Sequence, residues 1–197
     1  MLGSGAGSEP VIDTLGKAEG ELHRTREVLE RIRDFVSAGK MEPSLLDLVD
    51  VAQKIGALWI EQAKAKDVEV AVDGSRPVPL VKADKVGIEQ VLNNIVGNAV
   101  DAAAERGDAR GRVVVRVIGG GDWAIVDDNG PGVAPELAEN LFEAYQTSKP
   151  RGMGLGLTLS RQIVHKHAGR IWWRPIAPEG TRFVVELNIN GPDGDAS

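Results

Sequence analysis

Three alternating glycines that lead directly into a helical pattern constrain this chain more than any other feature. Gly152, Gly154 and Gly156 precede Leu157–Val164, whose residues read as a helix. Glycine has no Cβ, so the backbone here can lie directly against a ligand. A helix that begins at such a loop directs free N–H groups and the positive end of its dipole toward that ligand. The pattern favours an anion such as phosphate, although a surface loop could carry the same glycines.

The residues around these glycines separate them from two common phosphate-binding motifs. No Gly-Lys-Ser/Thr follows, as a Walker loop requires, and no strand leads straight into them, as a dinucleotide fingerprint requires. Lys149 and Arg151 lie just upstream and could add positive charge. The case for an anion site therefore depends on the rest of the chain.

Composition and charge exclude several classes of protein. The 197 residues suffice for one well-packed domain with an appendage, and 42% hydrophobic residues indicate a globular chain. There is no cysteine, which excludes disulfides and thiolate metal sites. A net charge of −6, without a basic stripe interleaved with aromatics, argues against nucleic-acid binding. No apolar run is long enough to cross a membrane, and we expect a cytoplasmic protein.

The chain divides into four predicted regions. Residues 1–10 read as a flexible leader or cloning remnant, and residues 191–197 as a disordered polar tail. Residues 11–40 carry a heptad seam from Val11 to Val36, which predicts a dimerisation helix, or else a long helix packed on its own domain. Residues 41–190 form the main domain. The seam consists of Val11, Leu15, Ala18, Leu22, Thr25, Leu29, Ile32 and Val36.

Hydrophobic periodicity predicts alternating helices and strands in the main domain. Ser44 is predicted to cap the first helix, Asp73-Gly74 to form a turn, and Gly169 to end the last helix. The predicted helices are Leu45–Lys66, Asp84–Glu105, Pro135–Leu141 and Leu155–His167. The predicted strands are Val68–Val72, Val78–Val81, Arg112–Ile118, Trp123–Val126, Arg170–Trp173 and Thr181–Leu187.

One polar strip on the second predicted helix stands out. Gln90, Asn94, Asn98 and Asp101 lie on the same face. A solvated face is the plain explanation, but asparagine is a poor helix former with no capping task in mid-helix. Their amide oxygens could reach a cation or a phosphate-bound metal.

A second polar feature follows the strand that begins at Trp123. Asp127-Asp-Asn-Gly-Pro-Gly132 places carboxylates at a strand end, beside alternating glycines. Such an acceptor suits an exocyclic amine such as adenine N6, whereas an ordinary Asp-Gly turn is the plain alternative.

Four blocks of this sequence together resemble the ATP-binding module of sensor histidine kinases, in the Bergerat superfamily shared with gyrase. The match spans Glu42 to Asn190. The resemblance implies an α+β fold, a Bergerat-type two-layer α/β sandwich in which helices cover a mixed, mostly antiparallel sheet. Gln90–Ala99 resembles the N box, Asp128–Gly132 the G1 box, Leu141–Lys149 the F box and Gly152–Leu157 the G2 box.

The resemblance implies a role for each matching residue. Asn98 would hold Mg²⁺, and Asn94 would lie beside the phosphates of ATP. Asp128 would accept a hydrogen bond from adenine N6, and Phe142 would position a lid over the nucleotide. Lys149 and the amides around Gly154 to Gly156 would hold the phosphates, and Asn94 and Lys149 would be the catalytic residues. The remaining nucleotide-binding residues would be Gly130, Gly132 and Thr181 near the base, and Gly152, Met153, Leu155 and Leu157 in the G2 box.

The implied activity is that of a protein histidine kinase, which transfers the γ-phosphoryl group of ATP to a histidine for relay to an aspartate of a response regulator. Related hydrolases carry a water-activating glutamate where this chain has Asn94, which cannot act as a base, and this weighs against a slow ATPase. Arg31–Val36 resembles the second helix of the phosphotransfer hairpin in FixL-like kinases, which implies a homodimer through Val11–Val36.

One departure from the family concerns the phosphoacceptor histidine. His23, His165 and His167 lack the acidic neighbour of the family's histidine box, so we expect the acceptor to lie outside this chain. Two alternatives are a non-catalytic dimeric adaptor and a protein-serine kinase of the anti-sigma type. The intact Asp128, Asn98 and glycines weigh against the adaptor, and the long heptad helix weighs against the serine kinase.

Overall fold

The computed structural model describes residues 41–74, 78–107, 110–118, 120, 122–146 and 154–191. They belong to one compact unit that begins at Met41. The predicted dimerisation helix Val11–Val36 lies outside the described residues, as do residues 192–197. No helix within the described ranges is long and apolar enough to span a membrane.

A five-stranded mixed sheet and three helices form the domain. The strands run in the order β2-β4-β5-β7-β6, with β2 and β4 parallel and every other neighbouring pair antiparallel. A separate antiparallel pair joins β1 and β3. The elements are β1 (Pro43–Leu46), α1 (Leu48–Lys64), β2 (Val68–Gly74), β3 (Val81–Asp84), α2 (Lys85–Ala104), β4 (Gly111–Ile118), β5 (Trp123–Asp128), α3 (Gly156–Lys166), β6 (Arg170–Pro175) and β7 (Thr181–Glu186).

The core lies between the sheet and the helices. α1 and α2 pack on β2 and β4, α2 also packs on β5, and α3 packs on α2 and β6. Side chains alternate along a strand, so one face of β4 is apolar and enclosed while Arg116 on the other face is partly exposed. The enclosed residues of β4 are Val113, Val115 and Val117. The predicted α+β sandwich with a mostly antiparallel sheet is confirmed.

The predicted start of the first helix is wrong. Pro43–Leu46 is a strand, and Leu46 is buried where it pairs with Val81. The helix begins at Leu48, with Asp47 as its N-cap, because the Asp47 carboxylate accepts from the N–H of Val49 at 2.8 Å. Ser44 therefore lies in a strand and does not cap the helix.

Two neighbouring predictions also need correction. The strand predicted at Val78–Val81 lies further along the chain, at Val81–Asp84, after the proline that cannot donate to a ladder. Asp73 and Gly74 are not a turn but the end of β2, paired with Arg116 and Val117. In both cases the pairing partner, which lies far away in sequence, decides where the strand ends.

The short helix predicted at Pro135–Leu141 is wrong as well. This segment forms successive turns, in which Leu137 donates to Ala134 and Asn140 donates to Leu137. The Ala138 carbonyl, which a helix would use internally, instead accepts from the Trp173 indole at 3.3 Å. A tertiary contact therefore replaces a helical bond.

The helices that carry the polar strip and follow the glycines are confirmed. α2 begins after Asp84, whose carboxylate accepts from Gly87 N–H at 3.2 Å. α3 ends at Lys166, and Ala168 rather than Gly169 takes the left-handed conformation that follows it (φ 51°). Gly169 is required for a different reason, since a Cβ there would lie 2.3 Å from the Glu186 carbonyl oxygen.

Candidate functional site

Asp128 lies at the end of β5 on the helix-covered side of the sheet, and only 3% of it is exposed. Its Oδ1 accepts from the N–H groups of Gly130 at 2.9 Å and Thr181 at 3.3 Å. Among the described residues nothing donates to Oδ2. The carboxylate is thus oriented through one oxygen while the other is left to accept from a ligand.

The surroundings of this carboxyl perturb its titration. Burial raises the pKa of Asp128 to about 6, against the lowering effect of the two backbone N–H groups, and the charge of Asp127 raises it further. A buried acceptor whose pKa is displaced toward neutrality is typical of a binding or catalytic site.

Close backbone contacts hold the loop after Asp128 against α2 and β7. A Cβ at Gly130 would lie 2.7 Å from the Ala102 carbonyl of α2. A Cβ at Gly180 would lie 2.2 Å from the Asp128 carbonyl oxygen, and Gly180 has a φ of 128°. Gly132 also has positive φ, at 86°. The glycines therefore allow three backbone segments to meet around Asp128.

α2 connects this region to the glycine-rich segment through its polar strip. Asn94 is half-buried, and its Nδ2 donates to the Gly156 carbonyl at 3.2 Å and to Ser160 Oγ at 3.4 Å. Asn98 is also half-buried and lies one turn further along α2, toward Ala102 and the Asp128 loop. Asn98 thus lies on the helix between the two predicted ligand-binding regions.

The N-terminus of α3 has no side-chain cap. Leu155 occupies the N-cap position without a side-chain hydrogen bond, and no acidic residue lies in the first turn. The N–H groups of Gly156, Leu157 and Thr158 therefore need other partners, and an anion can supply them. Leu155, Gly156 and Leu157 are half-buried, which leaves a ligand access to this turn.

Gly154 brings the start of the first turn of α3 into close contact with the backbone of Tyr145 and Gln146. It has a φ of 64°, and a Cβ there would lie 2.5 Å from the backbone of Tyr145 and Gln146. Its carbonyl accepts from Tyr145 N–H at 3.1 Å. Any larger residue at this position would force the two segments apart.

Phe142 anchors the segment before Gly154 to the core. Its ring meets Phe183 of β7 edge to face, with 6.4 Å between centroids. Its neighbour Glu143 pairs with both Nη atoms of Arg161 on α3 at 3.1 Å. Phe142 and Glu143 therefore tie this segment to β7 and α3.

The predicted site residues fall into two groups along α2. One surrounds Asp128 and includes Gly130, Gly132 and Thr181. The other lies at the start of α3, with Asn94 against it and Gly154, Leu155, Gly156 and Leu157 within it. Lys149, Gly152 and Met153 lie outside the described residues. Within those ranges no cluster of three or more histidine, aspartate or glutamate side chains could hold a metal ion.

Sequence reasoning did not include three residues that support the site. Ser160 is completely buried, and its hydroxyl donates to the Gly156 carbonyl at 2.9 Å. Gly180 brings β7 onto Asp128, and Arg106 donates to the carbonyl of Asn129 at 2.8 Å. Only Gly180 had a local signal, its place just before the last strand. The roles of Ser160 and Arg106 depend on contacts distant in sequence.

The profile of the histidine kinase-, DNA gyrase B-, and HSP90-like ATPase family matches residues 83–191, more than half of this chain. The chain belongs to this family. The matched range contains Asp128, Asn94 and Asn98 of α2, and the start of α3.

Within this family, the chain is similar in sequence to sensor proteins. The sensor protein FixL of Bradyrhizobium diazoefficiens is 33% identical over 191 residues, which are 95% of this chain and 37% of the relative. This chain thus spans well under half of that relative's length. The sensor histidine kinase ZraS of Escherichia coli O157:H7 is 28% identical over 170 residues, which are 86% of this chain and 37% of the relative.

Solved structures share the fold. The crystal structure of full-length ShkA in complex with AMPPNP has a TM-score of 0.74 at 22% identity, covering 96% of this chain and 40% of ShkA. The histidine kinase ThkA in complex with the response regulator TrrA has a TM-score of 0.68 at 22% identity, covering 98% of this chain and 55% of ThkA.

Proposed function

We propose that this domain binds ATP with Mg²⁺ and transfers its γ-phosphoryl group to a histidine, as the ATP-binding catalytic part of a cytoplasmic sensor histidine kinase. The observation that carries the proposal is the arrangement along α2. A buried carboxylate with one open oxygen lies near one end, an uncapped helix N-terminus contacts the same helix at Asn94, and Asn98 lies between them.

The residues present fit a nucleotide. Asp128 Oδ2 would accept from the exocyclic amine of adenine, while Gly130, Gly132 and Thr181 would leave room for the base. Asn98 offers a hard oxygen ligand to Mg²⁺, which prefers oxygen and keeps several waters. The N–H groups that start α3 would hold phosphate oxygens. The residues proposed to bind the nucleotide in this region are Lys149, Gly152, Met153, Gly154, Leu155, Gly156 and Leu157.

Asn94 favours phosphotransfer over hydrolysis. Its amide is engaged with Gly156 and Ser160, and an amide cannot accept a proton from water. The domain would then act by orienting the phosphates and neutralising their charge, which is most of what phosphoryl transfer requires. When bound, Mg²⁺ would supply charge neutralisation between the phosphates.

Of the two described histidines, the contacts of His167 exclude it as the acceptor, and His165 lacks the acidic neighbour of the family's histidine box. His167 is buried, its Nε2 accepts from Asp84 N–H at 2.9 Å, and its Nδ1 lies 2.7 Å from the Ile163 carbonyl. Both ring nitrogens are thus occupied. His165 is exposed in the last turn of α3. We therefore propose that the acceptor lies outside this sequence.

The proposal includes two protein partners and the domain boundaries expected from the sequence. Residues 11–40 would form a homodimer through Val11–Val36, residues 41–190 would bind the nucleotide, and a receiver domain of a response regulator would take the phosphoryl group. The complex of ThkA with TrrA is a property of ThkA, and it supports the class of partner proposed here. In the same way the AMPPNP in ShkA supports the class of ligand.

Calorimetric titration with AMPPNP, with and without Mg²⁺, tests the nucleotide site. We expect binding that Mg²⁺ strengthens, and Asn98→Ala should lose this strengthening. Asn93→Ala is the matched control, because Asn93 is exposed on the same helix and accepts from the Trp59 indole. No binding by the wild-type chain would reject the proposal and favour the non-catalytic adaptor.

Incubation with labelled ATP tests the type of phosphorylation. We expect no stable phosphohistidine on the isolated chain. Acid-stable phosphate transferred to a protein serine would favour the anti-sigma type of kinase instead. Acid-labile phosphate on His23, His165 or His167 would contradict the proposed location of the acceptor.

A further inference from the structure

Arg106 joins three backbone segments that meet around Asp128. It follows the C-terminus of α2, and its Nη1 donates to the Asn129 carbonyl at 2.8 Å. The same nitrogen lies 3.7 Å from Glu179 Oε2, in the connection between β6 and β7. Only 18% of the Arg106 side chain is exposed, although Glu179 is 60% exposed.

Asn129 and Glu179, which Arg106 contacts, lie one and two residues from the two donors that orient Asp128. Asn129 precedes Gly130, and Glu179 lies two residues before Thr181; Gly130 and Thr181 supply the N–H groups on Asp128 Oδ1. Arg106 therefore contacts the segments that carry both donors, from the end of the helix that carries Asn98.

The other contacts of the loop after Asp128 attach it to the sheet, whereas Arg106 attaches it to α2. Asn129 is already tied to β4, since its Oδ1 accepts from Arg112 N–H at 2.7 Å and its Nδ2 donates to the Arg110 carbonyl at 3.2 Å. Those bonds fix the loop relative to the sheet. Arg106 ties the same loop to the end of α2 through the Asn129 carbonyl, and a guanidinium is suited to this because its several donors have a rigid geometry.

We propose that Arg106 is a positioning residue for recognition of the base. By joining the Asp128 loop and the β6–β7 connection to α2, it holds the open oxygen of Asp128 in place relative to Asn98. Arg106 would then set discrimination between a base that carries an exocyclic amine and one that carries a carbonyl at that position. This inference rests on the proposed nucleotide site.

The test compares AMPPNP with inosine triphosphate, whose base carries a carbonyl where adenine has its amine. The wild-type chain with Mg²⁺ should prefer AMPPNP by about tenfold or more, because a carboxylate accepts from the amine and repels the carbonyl. Arg106→Ala should lose most of this preference, mainly through weaker AMPPNP binding. Arg110→Ala is the control, because Arg110 is 60% exposed and pairs only distantly with Asp67 and Glu69.

The outcomes separate positioning from general support. A merely structural role would weaken both nucleotides equally and leave their ratio unchanged, which would overturn the inference while leaving the nucleotide site intact. Should Arg106→Ala fail to fold, Glu179→Gln removes only the arm to the β6–β7 connection, and it should reduce the ratio by a smaller factor; an unchanged ratio there rejects the inference. Failure of the wild-type chain to bind either nucleotide would reject the proposed function and this inference together.

Discussion

Asp127 and Asp128 are neighbours at the end of β5, yet their side chains lie on opposite faces of the sheet and meet opposite surroundings. Asp127 accepts from Arg182 at 2.5 and 2.6 Å and also from Arg116. Burial alone would raise the pKa of Asp127, but hydrogen bonds and charge from the two arginines outweigh burial and lower it. Among the described residues, Asp128 accepts only from backbone N–H groups, and burial raises its pKa to about 6.

This difference separates a carboxylate that is paired with arginines from the carboxylate that we propose as the ligand acceptor. Both oxygens of Asp127 are occupied by arginine, and the pair raises the pKa of Arg182 in turn. Oδ2 of Asp128 accepts no hydrogen bond from the residues that the structure describes, and Asp128 is followed by the glycine-containing loop. The same residue type, one position along the same strand, therefore has different partners and an opposite pKa shift, because the two faces of the sheet differ.

Substitution of Asp128 should give the largest effect in this comparison. Asp128→Asn exchanges the acceptor for an amide of similar shape, and loss of a hydrogen bond to a charged group costs about 1.5–3 kcal/mol, or roughly 10- to 100-fold in affinity for AMPPNP. Its free energy of unfolding should not fall by more than about 0.5 kcal/mol, since a buried charge is removed. Calorimetry and urea unfolding measure the two quantities, and unchanged affinity would contradict the role of Asp128.

Substitution of Asp127 should give the reverse pattern. Asp127→Asn leaves Arg116 and Arg182 without their shared anion, and because both arginines are partly exposed we expect a loss of about 1–2 kcal/mol in the free energy of unfolding. AMPPNP affinity should change less than about twofold. If Asp127→Asn lost much of its affinity for AMPPNP without losing stability, Asp127 would also belong to the ligand site, which would contradict the different roles given to the two carboxylates.

Acidification should act on Asp128 and spare Asp127. Since the pKa of Asp128 is about 6 and only the ionised form accepts from an amine, AMPPNP affinity should fall as pH drops below 6, by up to about tenfold per unit. Without ligand the sign is opposite: the folded state binds this proton more tightly than the unfolded chain, so protonation stabilises the fold as pH falls from about 6 toward 3.8. Titrations of wild type and Asp128→Asn at several pH values check this, and equal pH dependence in both would refute it.

Removal of the Ser160 hydroxyl should give the smallest effect. Ser160→Ala takes one acceptor from Asn94 and one donor from the Gly156 carbonyl, which should lower the free energy of unfolding by about 0.5–1 kcal/mol. Ser44→Ala is the control, since Ser44 is exposed in β1 and caps no helix. A loss at Ser44 equal to that at Ser160 would restore the capping role that the sequence predicted.

Local sequence patterns correctly predicted those elements whose stabilising contacts are between residues close together in sequence. The α2 and α3 helices follow from hydrophobic periodicity, and Asp84 marks the start of α2. The central strands follow from runs of valine and isoleucine. The errors at Ser44, Val78–Val81 and Pro135–Leu141 share one cause. In each, a partner distant in sequence, such as Val81 for Leu46 or Trp173 for Ala138, replaced the local preference.

The sequence by itself determined the family and the residue types of the candidate site, because carboxylate, amide and glycine recur there in a fixed order along the chain. Only the tertiary structure decided which of two adjacent aspartates is open to a ligand and which is held by arginine. It also brought Arg106, Ser160 and Gly180 to the site. The reason is physical: the free energy of a hydrogen bond or an ion pair depends on burial and partners, and those are set by strands and helices that meet across the whole chain.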